Sequence, residues 1–218
     1  MRGLIDKLKK ARDTRPPKNT LDFDMITTRG GDDGKTSTYS QERVYKHHPM
    51  MELVGEIDTL SSYIGMIRPP YIEDDHLIDY MDRYLANDIY WIQKHLTWMM
   101  GMIASKPNSP QYKLLEEEFR IITDNTVLGL ESRMHRTQKD FEVDVPQAFI
   151  LPHSFINVPR TYTRAVERRL VAFISSEENP SGRRDLIPSQ HYINRLSDYL
   201  FYLALIDGDY QHSTSFDY

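Results

Sequence analysis

From Pro49 onward the apolar residues fall at helical spacing. Leu53, Val54, Ile57, Leu60 and Ile64 recur every three or four positions, which sets them along one side of a helix. Pro49 suits a first helical turn, where no amide donor is missed, and Pro69-Pro70 closes the segment. A second stripe, Leu77, Ile78, Met81, Leu85, Ile89, Ile92, Leu96, Met99 and Ile103, predicts one long helix over 74–104. After the breaker run 107–110, Leu114, Leu115, Phe119, Ile122, Leu128 and Leu130 predict a third over 111–138, with Gly129 a local weak point. Proline punctuates 143–159, and the blocks 160–175 and 188–207 complete a set of five. No strand-type alternation competes. The expected fold is all-α, a five-helix antiparallel bundle whose facing helices can enclose a site.

The rest of the chain lacks that periodicity. Residues 21–42 carry Thr, Ser, Gly and Asp and read as a loop, ordered or disordered. The first twenty residues hold seven Lys or Arg against Asp6 and Asp13, a basic arm. Two Asp, no Ser and Pro16-Pro17 speak against a transit peptide there. The organisation expected is therefore an arm over 1–20, a helical domain over 21–207 that opens with the loop 21–42, and a polar, aromatic tail over 208–218.

Composition narrows the chemistry. With 218 residues, 39% of them hydrophobic, the chain can bury one good core. A formal net charge of -5 gives no general pull toward nucleic acid, so any phosphate binding must be local. The absence of cysteine excludes disulfides, thiolate metal sites and a thiol nucleophile, and it fits a reducing cytoplasm, or a mitochondrial matrix in a eukaryotic source. No apolar run approaches the roughly 18 residues that a membrane span needs, so no membrane partner is expected.

Three segments could carry chemistry. In 28–37, Thr-Arg-Gly-Gly-Asp-Asp-Gly-Lys-Thr-Ser, three glycines let backbone amides approach an anion while Arg29 and Lys35 supply charge. It is not a P-loop, because three residues separate Gly30 from Gly34 where four are required, and no apolar strand precedes it. A plain surface loop would look similar. In 160–169, Arg160, Arg164, Glu167 and Arg168 share one helical face. Clustered guanidiniums need carboxylates or a polyanionic ligand, and intrahelical pairs with Glu167 are the plainer alternative. In 192–201 a polar stripe at Asn194, Ser197 and Asp198 interrupts an apolar helix, which either a ligand or an interhelical hydrogen-bond network would explain. The histidines His47, His48, His95 and His191 lack metal-binding spacing and read as solvated or helix-capping, and Met99, Met100 and Met102 read as core.

Taken together, in order and wording, these segments resemble the PduO-type ATP:corrinoid adenosyltransferase family. Its Thr-Arg-x-Gly-Asp-x-Gly-x-Thr-Ser loop is similar to 28–37, and the likeness continues through Glu42-Arg43, Lys46, Gly55, Asp58, Ile92-Gln93, Gly101, Ala104, 149–152, 160–169 and 194–201. It spans roughly residues 26 to 206. The resemblance implies an enzyme that moves the 5′-deoxyadenosyl group of ATP onto the cobalt of reduced cobalamin. It gives Thr28, Arg29, Gly31, Asp32, Gly34, Lys35, Thr36 and Ser37, with Lys46, to the triphosphate and its accompanying Mg2+. It gives Arg164, Glu167 and Asn194 to the nucleotide as well. Asp58 and Arg160 match an acid and a base that pair across the subunit boundary of a homotrimer, and Phe149 matches the aromatic beneath the corrin ring. A reductase and an adenosylcobalamin-dependent enzyme are the partners implied.

The chain also departs from that pattern. Residues 153–159 reach the arginine helix early, Ala165 stands where many members carry another arginine, Thr59 and Ser61 replace a common Glu and Asn, and 105–125 reads as an insertion. These departures motivate a rival from another class, an ATP-binding structural or regulatory subunit on the same fold.

Overall fold

A computed structural model describes residues 29–68, 75–80, 84–143, 153–176 and 182–208. The chain divides into two compact units, residues 1–36 and 37–218. In the first, the described stretch is a pair of tight turns. Asp32 N donates to Arg29 O and Gly34 N donates to Gly31 O, both at 3.2 Å. Arg29 at φ 55° and Gly34 at φ 76° occupy the left-handed region; glycine does so freely, and a side chain there is uncommon. Lys35 N is bound by Asp33 Oδ1 at 3.0 Å, which closes the second turn.

The second unit is helical. The chain enters it through a three-residue strand, β1 (Lys35–Ser37), whose last residue is the first of the unit; the tight turn 38–42, where Thr38 N donates to Glu42 O at 2.8 Å, leads to β2 (Arg43–Tyr45). Seven α-helices follow among the described residues: α1 Pro49–Gly65, α2 Asp75–Tyr80, α3 Ala86–Ile103, α4 Pro110–Glu117, α5 Asp124–Phe141, α6 Asn157–Ile174 and α7 Ile187–Asp207. The five long ones, α1, α3, α5, α6 and α7, form the bundle. Helix α7 packs on α5 and α6, and α1 packs on α3 and α6.

Local chemistry sets the boundaries. The His48 Nδ1 accepts the Met50 amide at 3.2 Å and Pro49 opens α1. Ser109 caps α4, again ahead of a proline, and Thr123 with Thr126 forms a reciprocal cap on α5. Inside, Leu53, Ile57, Leu60 and Ile64 of α1 meet Ile92, Leu96, Met99 and Ile103 of α3 and Leu196, Leu200 and Leu203 of α7 in one buried cluster. Each such side chain contributes about 1.5–3 kcal/mol by leaving water.

One of the five expected helices is broken. The stretch expected as one helix over 111–138 is α4 and α5, while that over 74–104 carries α2 and α3, with residues 81–83 outside the described residues. Between α4 and α5, Arg120 N donates to Leu115 O at 2.8 Å and Phe119 sits at φ 55°, so the chain turns. Phe119, read as core from its spacing, is 84% exposed. Helix α6 begins at Asn157, three residues before the expected start.

Candidate functional site

Helices α1, α6 and α7 lie side by side and carry five of the expected site residues. On α6, Arg164 and Arg168 are exposed, while Arg160 and Glu167 are half-buried. Among the described residues neither Arg164 nor Arg168 has a hydrogen-bonded or ion-paired partner, and Glu167 pairs with neither. The intrahelical ion pairs that would have made this an ordinary charged surface are thus not formed. Arg160 is held differently: its Nε donates to Asn157 Oδ1 at 2.8 Å and its guanidinium lies over the Phe201 ring of α7, 5.8 Å from the centroid.

Asp58 on α1 is exposed, and its carboxylate has no partner among the described residues. On α7, Asn194 is exposed and its Oδ1 accepts a long bond of 3.4 Å from Arg195, which also pairs with Asp198 at 3.1 Å. Ser197 is buried and turns back to Asn194 O at 3.0 Å. The polar stripe of α7 is therefore satisfied within its own helix, with the Asn194 amide at the surface. Lys46, in the turn ahead of α1, is exposed. Of the loop residues, Arg29, Asp32, Gly34 and Ser37 are exposed and Gly31, Lys35 and Thr36 half-exposed. Thr28 and Phe149 lie outside the described residues.

A cleft of about 200 Å³ opens between the turn 38–42 and the end of α3. None of the expected site residues lines it, and Arg183 within it is already committed. Its guanidinium donates to Met102 O at 2.7 Å and to Asp185 Oδ2 at 2.8 Å, so it closes the carbonyl end of α3. This arginine is a helix cap.

Three polar groupings escaped sequence reasoning. Asp88 of α3, 1% exposed, accepts Arg133 Nε at 3.0 Å, Tyr199 OH at 3.0 Å and the Arg136 guanidinium. Burial and then the Asp88 charge hold the Tyr199 phenol well above its ordinary range. His95, expected to be solvated or capping, is buried and its Nδ1 meets Tyr192 OH at 3.0 Å; burial first, then Arg133, lowers its pKa to about 4. Glu56 of α1 receives both Tyr162 OH and Arg169 Nε from α6. The signal for the first was faint: Asp88 lies four and seven residues before Ile92 and His95, on the buried stripe.

No cluster of three His, Asp or Glu side chains able to hold a metal occurs among the described residues. A magnesium ion carried by a polyphosphate needs only one or two carboxylates, and the exposed Asp32 fits that need. No helix among the described residues is long and apolar enough to cross a membrane.

The likeness to known proteins covers the same stretch. Over 195 residues the chain is 32% identical to the corrinoid adenosyltransferase PduO of Salmonella typhimurium, covering 87% of this chain and 52% of that protein. It is 31% identical to the corrinoid adenosyltransferase of Bacillus subtilis over 188 residues, covering 83% of this chain and 85% of that protein. The chain thus spans about half the length of the PduO proteins it matches. Among solved structures, a variant of the PduO-type ATP:corrinoid adenosyltransferase of Lactobacillus reuteri, complexed with cobalamin and ATP, superposes with a TM-score of 0.63 at 26% identity. That match covers 82% of this chain and 91% of that one. Residues 26–206 match the family model described as cobalamin adenosyltransferase, and the chain belongs to that family.

Proposed function

We propose that this protein transfers the 5′-deoxyadenosyl group of ATP to the cobalt of reduced cobalamin and releases triphosphate. The observation that carries the reading is the unpaired guanidinium face of α6, Arg164 and Arg168, on a chain of this family. Exposed arginines without carboxylate partners are suited to a polyanion, which they grip bidentately without losing charge. The Lactobacillus reuteri relative complexed with both substrates supports the same pairing of ligands.

In the reaction proposed, the cobalt electron pair attacks the ribose C5′, the C5′–O bond breaks, and the triphosphate oxygen leaves with the bonding pair. No side-chain nucleophile takes part. The work of the protein is to align the partners and to stabilise charge on the leaving group. Thr28, Arg29, Gly31, Asp32, Gly34, Lys35, Thr36 and Ser37 hold the triphosphate, with Lys46 and Arg164 as counter-charges and Glu167 and Asn194 on the nucleotide. Magnesium, when bound, neutralises part of the phosphate charge beside Asp32. Phe149, placed beneath the corrin by resemblance alone, keeps a lower ligand off the cobalt.

The unpartnered Asp58 carboxylate supports the homotrimer, in which it meets Arg160 of a neighbouring copy. A reductase that supplies the electron and an adenosylcobalamin-dependent enzyme that accepts the product complete the scheme, in the cytoplasm or a comparable reducing compartment. Sedimentation or light scattering tests the assembly: a trimer that Asp58→Ala weakens is expected, and a monomeric wild type at micromolar concentration contradicts it. An isotherm for ATP with the purified protein tests the nucleotide assignment, which fails if Arg164→Ala binds ATP as wild type does.

A further inference from the structure

Beside the shared apolar core, one carboxylate of α1 takes two side chains of α6. Glu56 accepts the Tyr162 phenol on Oε2 and the Arg169 guanidinium on Oε1, the latter at 3.1 Å. Tyr63, two turns further along α1, sets its ring against Tyr162 edge-on, with centroids 5.5 Å apart. Burial first, and then the Glu56 hydrogen bond, raise the Tyr162 phenol above its ordinary range, so it stays a donor at any working pH. An isolated pair to Arg169, whose side chain is 54% exposed, would be worth little. Shared with a half-buried phenol and its ring contact, the same carboxylate becomes a fixed point.

The spacing gives that point leverage. Tyr162 and Arg169 are seven residues apart, two turns and about 10 Å of helix, and both converge on Glu56. Arg164, Glu167 and Arg168 lie inside the gripped stretch. Two grips two turns apart resist rotation and sliding of α6, and they add to the burial of Val166 and Leu170 in setting the outward direction of residues 164 and 168.

We propose that Glu56, Tyr162 and Arg169 are positioning residues that hold the arginine face of α6 in register for its polyphosphate ligand. The inference rests on the function proposed above, and deepens it by locating what pre-aligns the binding arginines. Pre-alignment spares the ligand the cost of ordering those side chains, and its loss weakens binding without removing any contact atom.

The test uses the full chain and ATP with magnesium, titrated calorimetrically, with thermal midpoints measured alongside. Tyr162→Phe keeps the ring on Tyr63 and loses only the hydroxyl; Glu56→Gln keeps shape and loses the charge. Each is expected to weaken ATP about three- to tenfold, with the double variant no worse than the weaker-binding single, because both cut one shared interaction. The thermal midpoint moves little. Wild-type ATP affinity in both singles, or losses that multiply in the double, overturns the brace while leaving the proposed function standing. A wild type that does not bind ATP overturns the proposed function and the brace with it.

Discussion

Two groups of arginines in this bundle have opposite fates. On α5, Arg133 and Arg136 point inward to Asp88, a carboxylate 1% exposed, and Tyr199 completes its shell. On α6, Arg164 and Arg168 point outward with no carboxylate among the described residues. The residue type is the same; the partner differs. A guanidinium that finds its carboxylate within the fold contributes to holding helices together, and one left without it keeps its binding capacity for a ligand. Composition and spacing alone do not separate the two.

Breaking the buried group has the larger expected effect. Asp88→Ala leaves two guanidiniums and a buried phenol without their acceptor, and it costs about 3–5 kcal/mol of stability, read from urea unfolding. Wild-type stability in that variant would mean that the cluster is bypassed by water. Next comes Arg164→Ala, expected to lower ATP-dependent transfer about 10²- to 10³-fold by loss of one charge-assisted contact to the leaving group. Its thermal midpoint should match wild type, which is the reverse of the Asp88 pattern.

Salt separates the same two regions more gently. Raising ionic strength from about 0.05 to 0.5 M should weaken ATP binding about tenfold, since exposed charges are screened over a few ångström. The unfolding midpoint should barely respond, because the Asp88 pairs are sheltered. An equal response of both quantities would dissolve the distinction.

Between about pH 7 and 6 the smallest effect expected is a pH dependence. The His95 imidazole, held at about 4 against an ordinary 6.5, is neutral in the fold and protonates more readily in the unfolded chain. Its contribution to stability is complete above about pH 6.5 and declines as pH falls toward 4, by at most about 1.4 kcal/mol per pH unit. In His95→Gln that acid-side slope should flatten in equilibrium unfolding; an unchanged slope would assign it to other groups.

The legible parts of the molecule were those written in local periodicity. Five apolar stripes gave the five long helices, because a three-to-four residue repeat of Leu, Ile and Met has one way to bury itself. The break between α4 and α5 was not legible. Phe119 and Leu128 carry the same letters as core residues, yet both are exposed, and only the Arg120 to Leu115 hydrogen bond and the Thr123 cap show where α4 gives way to α5. The glycine turn and the arginine face were visible as candidates because glycines beside basic residues, and guanidiniums repeated on one helical face, stand out in the residue order itself. Asp88 was not visible, since its partners lie 45 and 48 positions further along the chain, and Glu56 looked like any exposed acid until α6 was beside it.

The comparison leads to one measurement. Purified protein, incubated without oxygen with ATP and chemically reduced cobalamin, is followed by the spectrum of the cobalt–carbon product and by assay of the phosphate species released. One intact triphosphate for each adenosylcobalamin formed, with the reaction lost in Arg164→Ala, is the predicted result. ATP that binds but is never consumed, or that leaves as phosphate and diphosphate without a cobalt–carbon bond, would contradict the account.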